Sequence, residues 1–345
     1  MTTLPAEIRD EAQLEDVLSE PSPADVACVS RLHGDILIVG AAGKMGPSLA
    51  RRVHRALGHA GSRSRVLAVS RFSVRGVREN LEADGIQTIA CDLLDPVQVA
   101  ALPRAENVLF LAGRKFGTLD RTDLTWATNT LVPARVAEHF AESRMVVFST
   151  GNVYPLVPFG SPGSREDDPP CPVGEYAQSC LGRERVVEFV SRERNLRALV
   201  LRLNYAVDLR YGTLVDVARK VLAGEPVDLT MGYFNAIWQG DANGYALRSL
   251  ERCSSPPALL NVTGPERISV RETAEWFGSL FGRAPVLVNT EGPVALLSDS
   301  SRCRALLGEP AVSLSLLRQW VAHWVGAGGA SLNKPTHFEV TDGRY

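Results

Sequence analysis

Short apolar runs alternate with segments of helical periodicity over the first two thirds of the chain. The first run, Ile36–Val39, is uninterrupted and precedes a segment rich in Ala, Leu and Arg. Five further apolar runs predict strands at 65–70, 86–90, 107–111, 145–149 and 198–203. Apolar strands that alternate with helices are typical of a doubly wound parallel sheet with right-handed crossovers. The pattern therefore predicts an α/β fold of the Rossmann type.

The pattern changes beyond residue 205, where Gly and Pro interrupt shorter elements. This predicts a dinucleotide-binding domain at 34–205 and 236–263, interleaved with a smaller substrate-binding part at 206–235 and 264–345. Residues 1–33 form a predicted helical N-terminal extension, because Leu14, Val17 and Leu18 have helical spacing and prolines follow. The extension is expected to pack on the sheet or to make a dimer or lid contact.

Three glycines follow the first strand at intervals of three residues. Gly40 allows a sharp turn, Gly43 allows the backbone to approach a pyrophosphate, and Gly46 allows the helix to pack closely on the sheet. The free amides and the positive dipole end of the following helix favour phosphate. The segment therefore predicts a dinucleotide site made of Gly40, Gly43, Lys44, Met45 and Gly46.

The residues that end the predicted strands lie where a doubly wound fold binds its ligand. The second strand ends at Ser70 without a carboxylate, and Arg71 favours a ribose 2′-phosphate, so NADP(H) is preferred and NAD(H) is the alternative. Arg71 is otherwise a solvated surface residue. Asp92 follows the third strand, where it can bond the adenine amine, and small residues follow the fourth.

Composition excludes several classes of function. The 345 residues carry 37 basic and 39 acidic side chains, a balance that predicts no nucleic-acid or membrane-surface partner. The six cysteines form no C-x-x-C pair and no His cluster accompanies them, so a reduced, cytoplasmic protein without a metal site is expected. No apolar stretch approaches the length of a membrane span, and no secretion signal is evident.

In combination, these motifs resemble the extended short-chain dehydrogenases/reductases, specifically the NAD-dependent epimerase/dehydratase group, over about residues 34–325. The resemblance rests on the glycine motif, on Asp92-Leu93, on Leu111-Ala112-Gly113 and on a helix asparagine, Asn129. It also matches Thr150 and Tyr176 to the catalytic hydroxyl pair of the family. In that family the tyrosine moves a proton while the nicotinamide exchanges hydride with a carbinol or ketone, and the threonine holds the substrate oxygen.

The resemblance thus implies an NAD(P)-dependent oxidoreductase or epimerase that acts on a small sugar or sugar-like molecule. Its expected substrate-binding residues are Asn152, Arg202, Asn204, Arg210, Tyr233 and Trp238. It further implies a homodimer in which helices near 122–142 and 175–194 form a four-helix interface. Two positions are open for the apolar residues of these helices: the intersubunit interface, or the face that packs on the sheet. These residues are Val132, Val136, Phe140, Val186, Val187 and Val190.

Two departures from the family pattern stand out. Cys180 replaces the lysine that follows the tyrosine by one helical turn, and a tyrosine with a pKa near 10 normally needs such a cation. Lys115 is the preferred substitute, ahead of Arg114 and Arg183, while Cys180 itself is a packed thiol or a nucleophile. The second departure is that no arginine occurs in the stretch 231–238. The aromatic residues of this stretch either stack on a sugar or form a buried strand.

These departures leave two rivals to the enzyme. One is a non-catalytic dinucleotide-binding protein that has lost the lysine. The other is a redox-independent lyase or isomerase that uses Tyr176 and Thr150 alone. Gly151-Asn152 stands where dehydratases of the family carry Asp-Glu, which disfavours elimination chemistry.

Overall fold

The apolar run before the glycine turn forms an interior strand of a parallel sheet. The computed structural model describes residues 4–115, 117, 120–334 and 336–343. In chain order the strands are β1 (Ile36–Val39), β2 (Val66–Ser70), β3 (Gln87–Ala90), β4 (Asn107–Phe110), β5 (Arg144–Thr150), β6 (Val157–Pro158), β7 (Arg197–Leu203), β8 (Ala206–Val207), β9 (Pro226–Asp228), β10 (Tyr233–Phe234), β11 (Ile237–Trp238), β12 (Ala258–Val262), β13 (Ile268–Ser269), β14 (Val286–Val288) and β15 (Val294–Ala295).

Helices flank the sheet and build the C-terminal part. They are α1 (Glu11–Ser19), α2 (Pro23–Arg31), α3 (Gly46–His59), α4 (Val77–Ala83), α5 (Pro96–Ala100), α6 (Thr122–Trp126), α7 (Val132–His139), α8 (Gly174–Arg194), α9 (Thr213–Ala223), α10 (Gln239–Arg248), α11 (Val270–Phe281), α12 (Ser301–Leu307) and α13 (Leu314–Gly326). A π-helical turn, Ala127–Leu131, joins α6 to α7. No helix in the described ranges is long and apolar enough to cross a membrane.

The main sheet has seven parallel strands in the order β12-β7-β5-β4-β1-β2-β3. This order confirms the predicted doubly wound α/β fold. All six predicted strands are present, with ends that shift by one residue or so. β12 was not predicted as a strand, because Ala258–Val262 carries no local signal beyond a short apolar run. The strand order reverses between β1 and β4, and the crevice at such a switch point is where ligands bind.

The N-terminal extension packs into the body of the molecule. Ile8, Leu14 and Leu18 are fully buried in the apolar core that α9, α11 and α13 build. Trp320 Nε1 of α13 donates to the Pro5 carbonyl over 2.9 Å, and α1 packs against α3. The extension therefore connects the glycine-turn helix to the C-terminal core. The division of the chain into three parts remains a prediction.

The apolar face proposed for a dimer lies instead inside the subunit. Val132, Val136 and Phe140 are buried with the sheet residues of β1, β4 and β5 in one core, and so are Val187 and Val190. Val186 packs partly buried against the same core. Of the two alternatives for this set, an intersubunit surface or packing on the sheet, the structure shows packing on the sheet. The exposed apolar residues of the same helices are Trp126, Leu131 and Phe189.

Candidate functional site

A large cavity of about 900 Å³ opens at the carboxyl ends of β1, β4, β5 and β7. One wall is the glycine turn between β1 and α3, and another carries the predicted hydroxyl pair. Of the predicted site residues, the cavity is lined by Gly40, Gly43, Lys44, Met45, Gly46, Leu111, Gly113, Lys115, Thr150, Asn152, Tyr176, Asn204 and Arg210. The fold thus brings together residues that are up to 170 positions apart.

The glycine turn is shaped to bring backbone close to a ligand. Gly40 has φ of +89°, and a Cβ there would lie 2.6 Å from the Ala112 backbone nitrogen. A Cβ on Gly46 would lie 2.3 Å from the Ala41 carbonyl oxygen. Both positions therefore require glycine. The Gly46 amide donates to the Gly43 carbonyl over 3.1 Å and Pro47 has no amide hydrogen, so α3 offers a phosphate its positive dipole end and not its first two amides. These features fit a dinucleotide pyrophosphate.

The hydroxyls of Thr150 and Tyr176 are hydrogen-bonded to each other at the cavity wall. Thr150 ends β5, and its Oγ1 donates to Asn152 Oδ1 over 2.9 Å. Tyr176 lies in the first turn of α8, a helix that begins at Gly174. Burial raises the pKa of Tyr176 well above its ordinary value, and the neighbouring Cys180 raises it further. The tyrosine is therefore protonated at neutral pH.

Cys180 is a packed thiol. Its side chain is 1% exposed, packs with Val153 and Tyr154, and is hydrogen-bonded to Tyr176. Burial raises the pKa of the Cys180 thiol. A buried and protonated thiol is a poor nucleophile, so these surroundings favour a packing role.

The cation with the strongest claim on the tyrosine is Arg183, one helical turn beyond Cys180. Arg183 Nη1 donates to the Phe148 carbonyl over 2.6 Å, and Nη2 donates to Asn129 Oδ1 over 2.8 Å. The positive charge of Arg183 lowers the pKa of both Tyr176 and Cys180 against the effect of burial. Lys115 also lowers the pKa of Cys180, but less than Arg183 does. Lys115, the preferred substitute cation on sequence grounds, follows β4 and lines the cavity.

Asn129 forms hydrogen bonds to both the loop after β4 and α8. It lies in the π-helical turn, fully buried, and its Nδ2 donates to Ser179 Oγ over 2.9 Å and to the Arg114 carbonyl over 3.0 Å. Its side-chain oxygen accepts from Arg183 and from the Arg114 amide. Asn129 thus ties the loop after β4 to α8 and does not line the large cavity.

Three predicted substrate residues lie elsewhere. Arg202 is 2% exposed and forms a buried ion pair with Glu184, with Nη2 and Oε2 2.7 Å apart. Tyr233 stacks on Phe159 with ring centroids 4.9 Å apart. Trp238 is buried against Trp320 in the C-terminal core, with ring centroids 5.2 Å apart. The aromatic stretch is therefore mostly core packing.

The predicted adenine-side residues lie beyond the lining of the large cavity. Asp92 Oδ1 accepts from the Leu94 amide over 3.0 Å in the turn after β3, and Leu93 packs against the core. Arg71 is exposed after β2, and Val74 and Val77 from the same loop and α4 line the cavity. Ala112 stands between two lining residues.

Sequence reasoning missed two contributors to the cavity. Glu11 and Glu15 of α1 line it, and so do Leu332, Lys334 and Thr336 of the C-terminal segment. No local motif marks either segment, because both reach the cavity only through long-range packing. The described residues contain no group of three or more His, Cys, Asp or Glu side chains that could hold a metal ion.

The fold and this cavity define an α/β protein of the doubly wound class, with a glycine turn at the crevice where the strand order reverses. The chain matches the model of the NAD dependent epimerase/dehydratase family over residues 36–230, more than half its length. The protein therefore belongs to that family, which confirms the resemblance drawn from its motifs. No curated protein sequence matches the chain.

Solved structures share the fold over nearly their whole length. The UDP-glucose 4-epimerase of Thermus thermophilus in complex with NAD is 22% identical, with a TM-score of 0.68, and the match covers 85% of this chain and 99% of that one. The Thermotoga maritima UDP-glucose 4-epimerase with UDP-glucose is 20% identical, with a TM-score of 0.69 and the same coverage. MoeE5 in complex with UDP-glucuronic acid and NAD is 22% identical, with a TM-score of 0.67 and coverage of 86% and 99%.

Proposed function

We propose that the protein is an NAD(P)-dependent oxidoreductase or epimerase that acts on a sugar or sugar-like carbinol or ketone. The observation that carries the proposal is one continuous cavity, in which the glycine turn faces the hydrogen-bonded hydroxyls of Thr150 and Tyr176. Such an arrangement places a reacting carbon between a dinucleotide and an acid–base pair. The nucleotide-sugar epimerases that share the fold are consistent with this chemistry.

The glycine turn, Thr150 and Tyr176 each have a separate role in the proposed reaction. The glycine turn and the positive dipole end of α3 would hold the pyrophosphate, and a bound nicotinamide would supply hydride exchange at the substrate carbon. Thr150, held by Asn152, positions the substrate oxygen. Tyr176 donates its proton to that oxygen or takes one from it. Because its pKa is raised, Tyr176 is set as a donor at neutral pH, and the charge of Arg183 assists the reverse transfer.

The cofactor in this proposal is NADP(H), with NAD(H) as the alternative. Arg71 supports the phosphorylated form, because it is exposed beside the residues of α4 that line the cavity and no carboxylate ends β2. NAD is the dinucleotide in the T. thermophilus epimerase and MoeE5 structures.

Turnover of purified protein tests the proposal. Nicotinamide absorbance and epimer interconversion are measured with UDP-glucose, UDP-glucuronic acid, glucose 1-phosphate and glucuronate as probes. Tyr176→Phe is expected to lower the rate by about 10²–10⁴-fold, the usual contribution of a positioned acid–base group. Tyr233→Phe, a tyrosine outside the cavity, is the matched control and leaves the rate unchanged. Full turnover in both Tyr176→Phe and Thr150→Ala would contradict the proposal.

A non-catalytic dinucleotide-binding protein is the second candidate, and the thiol at position 180 favours it. Without a lysine there, the buried Tyr176 keeps its raised pKa. Dinucleotide binding without turnover of any probe, in both the natural protein and Cys180→Lys, would support this candidate. Turnover that appears or rises in Cys180→Lys but not in Cys180→Ser would support an enzyme weakened by the loss of the lysine.

A further inference from the structure

The lysines of this chain are concentrated at one place. Only four of its 37 basic residues are lysines, and three of them, Lys44, Lys115 and Lys334, line the large cavity. The fourth, Lys220, forms an ion pair with Glu339 at 3.4 Å. These three lysines come from the glycine turn, the loop after β4 and the C-terminal segment, so their convergence is a property of the fold and not of local sequence.

Lys44 contacts residues of the predicted substrate-binding part at 206–235. Its Nζ donates to the Ala206 carbonyl over 2.7 Å and lies 4.3 Å from the centroid of the Tyr211 ring. Within the described ranges Lys44 forms no ion pair. The nearby Asp208 is engaged by Arg210, whose Nη2 lies 2.7 Å from Asp208 Oδ2. Lys44 thus retains donor capacity towards the cavity.

Lys115 faces the same space from the other side. Its Nζ lies 3.5 Å from the Thr336 carbonyl oxygen, to which it donates. Asp216 raises the pKa of Lys115, and it accepts from the Thr336 amide over 2.8 Å and from Thr336 Oγ1 over 2.6 Å. The charge of Lys115 acts on both Cys180 and Lys44, so Lys115 lies within electrostatic range of both.

The surroundings of both ammonium groups disfavour their charged forms. Burial, together with the charges of Lys115 and Arg210, lowers the pKa of Lys44 to about 7, although Asp208 raises it. Burial lowers the pKa of Lys115 to about 8. An anion bound between the two ammonium groups would stabilise both charged forms. Ammonium groups are compact point charges that accept phosphate or carboxylate from several directions.

We propose that Lys44 and Lys115, joined by Lys334, bind an oxyanion carried by the substrate, so that the substrate is an acidic or phosphorylated sugar. This inference rests on the proposed function only in taking a sugar as the molecule that reaches Tyr176. The anion is a carboxylate or a phosphate, and the two share the same recognition chemistry. The site would supply positive charge that residues 231–238, which contain no arginine, do not.

Calorimetric titration of the NADP-loaded protein tests the site. The probes are glucose, glucuronate and glucose 1-phosphate. The natural protein is expected to bind one of the anionic sugars roughly 10- to 100-fold more tightly than glucose, as one or two charge-assisted contacts allow. Tighter binding of glucuronate identifies a carboxylate, and tighter binding of glucose 1-phosphate identifies a phosphate. Glucose binding as tightly as both anions would overturn the proposal.

Variants locate the effect. Lys44→Met and Lys115→Met should each weaken the anionic sugar about tenfold or more and leave glucose unchanged, while Lys44→Arg restores binding. Lys220→Met is the matched control with unchanged affinity. If Lys44→Met weakens NADP and not the sugar, the lysine serves the cofactor and the proposal fails. Because binding is measured without turnover, these results are independent of the Tyr176→Phe test of the reaction.

Discussion

Arg183 Nη2 donates a hydrogen bond to Asn129 Oδ1 over 2.8 Å, and this bond fixes a buried guanidinium one helical turn beyond Cys180. A positive charge therefore remains near Tyr176 although the family lysine is absent. Its position differs from that of the lost lysine, because Arg183 also donates to the Phe148 carbonyl at the end of β5. Arg183 and Tyr176 lie on the same helix, and the positive charge of Arg183 lowers the pKa of Tyr176.

Arg183→Met should raise the pH at which turnover is maximal, because the guanidinium lowers the pKa of Tyr176. Lys115→Met should raise it less, since Lys115 acts more weakly on this group of residues. The measurement is the pH–rate profile of both variants. Arg183→Lys retains the charge and should retain the profile, which separates charge from packing. A shift in Lys115→Met with none in Arg183→Met would reverse the assignment.

Arg71→Asp should weaken NADP binding by roughly 10- to 100-fold, the worth of one charge-assisted phosphate contact. NAD binding should be unchanged or tighter, because a carboxylate at this position can accept from the ribose 2′-hydroxyl. Calorimetric titration with each dinucleotide measures both effects. Equal affinity for NAD and NADP in the natural protein, unchanged in Arg71→Asp, would make Arg71 a solvated surface residue.

The lowered pKa of Lys44, to about 7, predicts how stability depends on pH. A lysine in the unfolded chain has a pKa near 10.4, so between these values the unfolded state binds more protons than the folded state. Stability from this residue therefore rises with pH from about 7 to about 10. The charges around Lys44 are Lys115 and Arg210, which lower its pKa, and Asp208 and Asp216, which raise it.

The check on Lys44 is urea unfolding of the natural protein and of Lys44→Met at several pH values. The difference in unfolding free energy between the two should move in favour of the natural protein as the pH rises from about 7 to about 10. Lys220→Met provides the reference for loss of a lysine outside the cavity. A difference that is constant over this range would mean that Lys44 keeps an ordinary pKa in the folded protein.

The sequence predicts best where a structure is local. Gly40, Gly43 and Gly46 predict a strand, a turn and a helix within a dozen residues, and the structure contains all three elements. The pairing of Thr150 with Tyr176 came through the family motif, since their 26-residue separation carries no geometric signal. Local patterns do not specify long-range partners.

Two residues show this limit in physical terms. An arginine near the end of a strand can pair with a substrate or with a buried acid, and its sequence position does not distinguish the two. The packing of α8 on β7 shows that Arg202 pairs with Glu184. The hydrophobic spacing of α1 shows that one face is buried, but not that Glu15 on the other face lines the cavity. Both are decided by which elements the tertiary fold brings into contact.

The last prediction concerns a homodimer, which we propose from the outer face of α6, α8 and the turn after α6. Phe189 is 64% exposed, Leu131 43% and Trp126 37%, and large apolar side chains that share an exposed surface favour an interface. The natural protein should be a dimer by light scattering at micromolar concentration. Phe189→Glu should make it a monomer, because a charge would be buried without a partner at the interface.

Val97→Glu is the matched control for the dimer, since Val97 is 74% exposed on α5, a helix outside the proposed interface. That variant should remain a dimer with an unchanged thermal midpoint. Phe189→Glu should also keep its thermal midpoint when measured at a dilution where the natural protein is monomeric, because the exposed Phe189 side chain lies outside the subunit core. A natural protein that is monomeric at micromolar concentration, or a Phe189→Glu variant that remains dimeric, would rule out this surface as the interface.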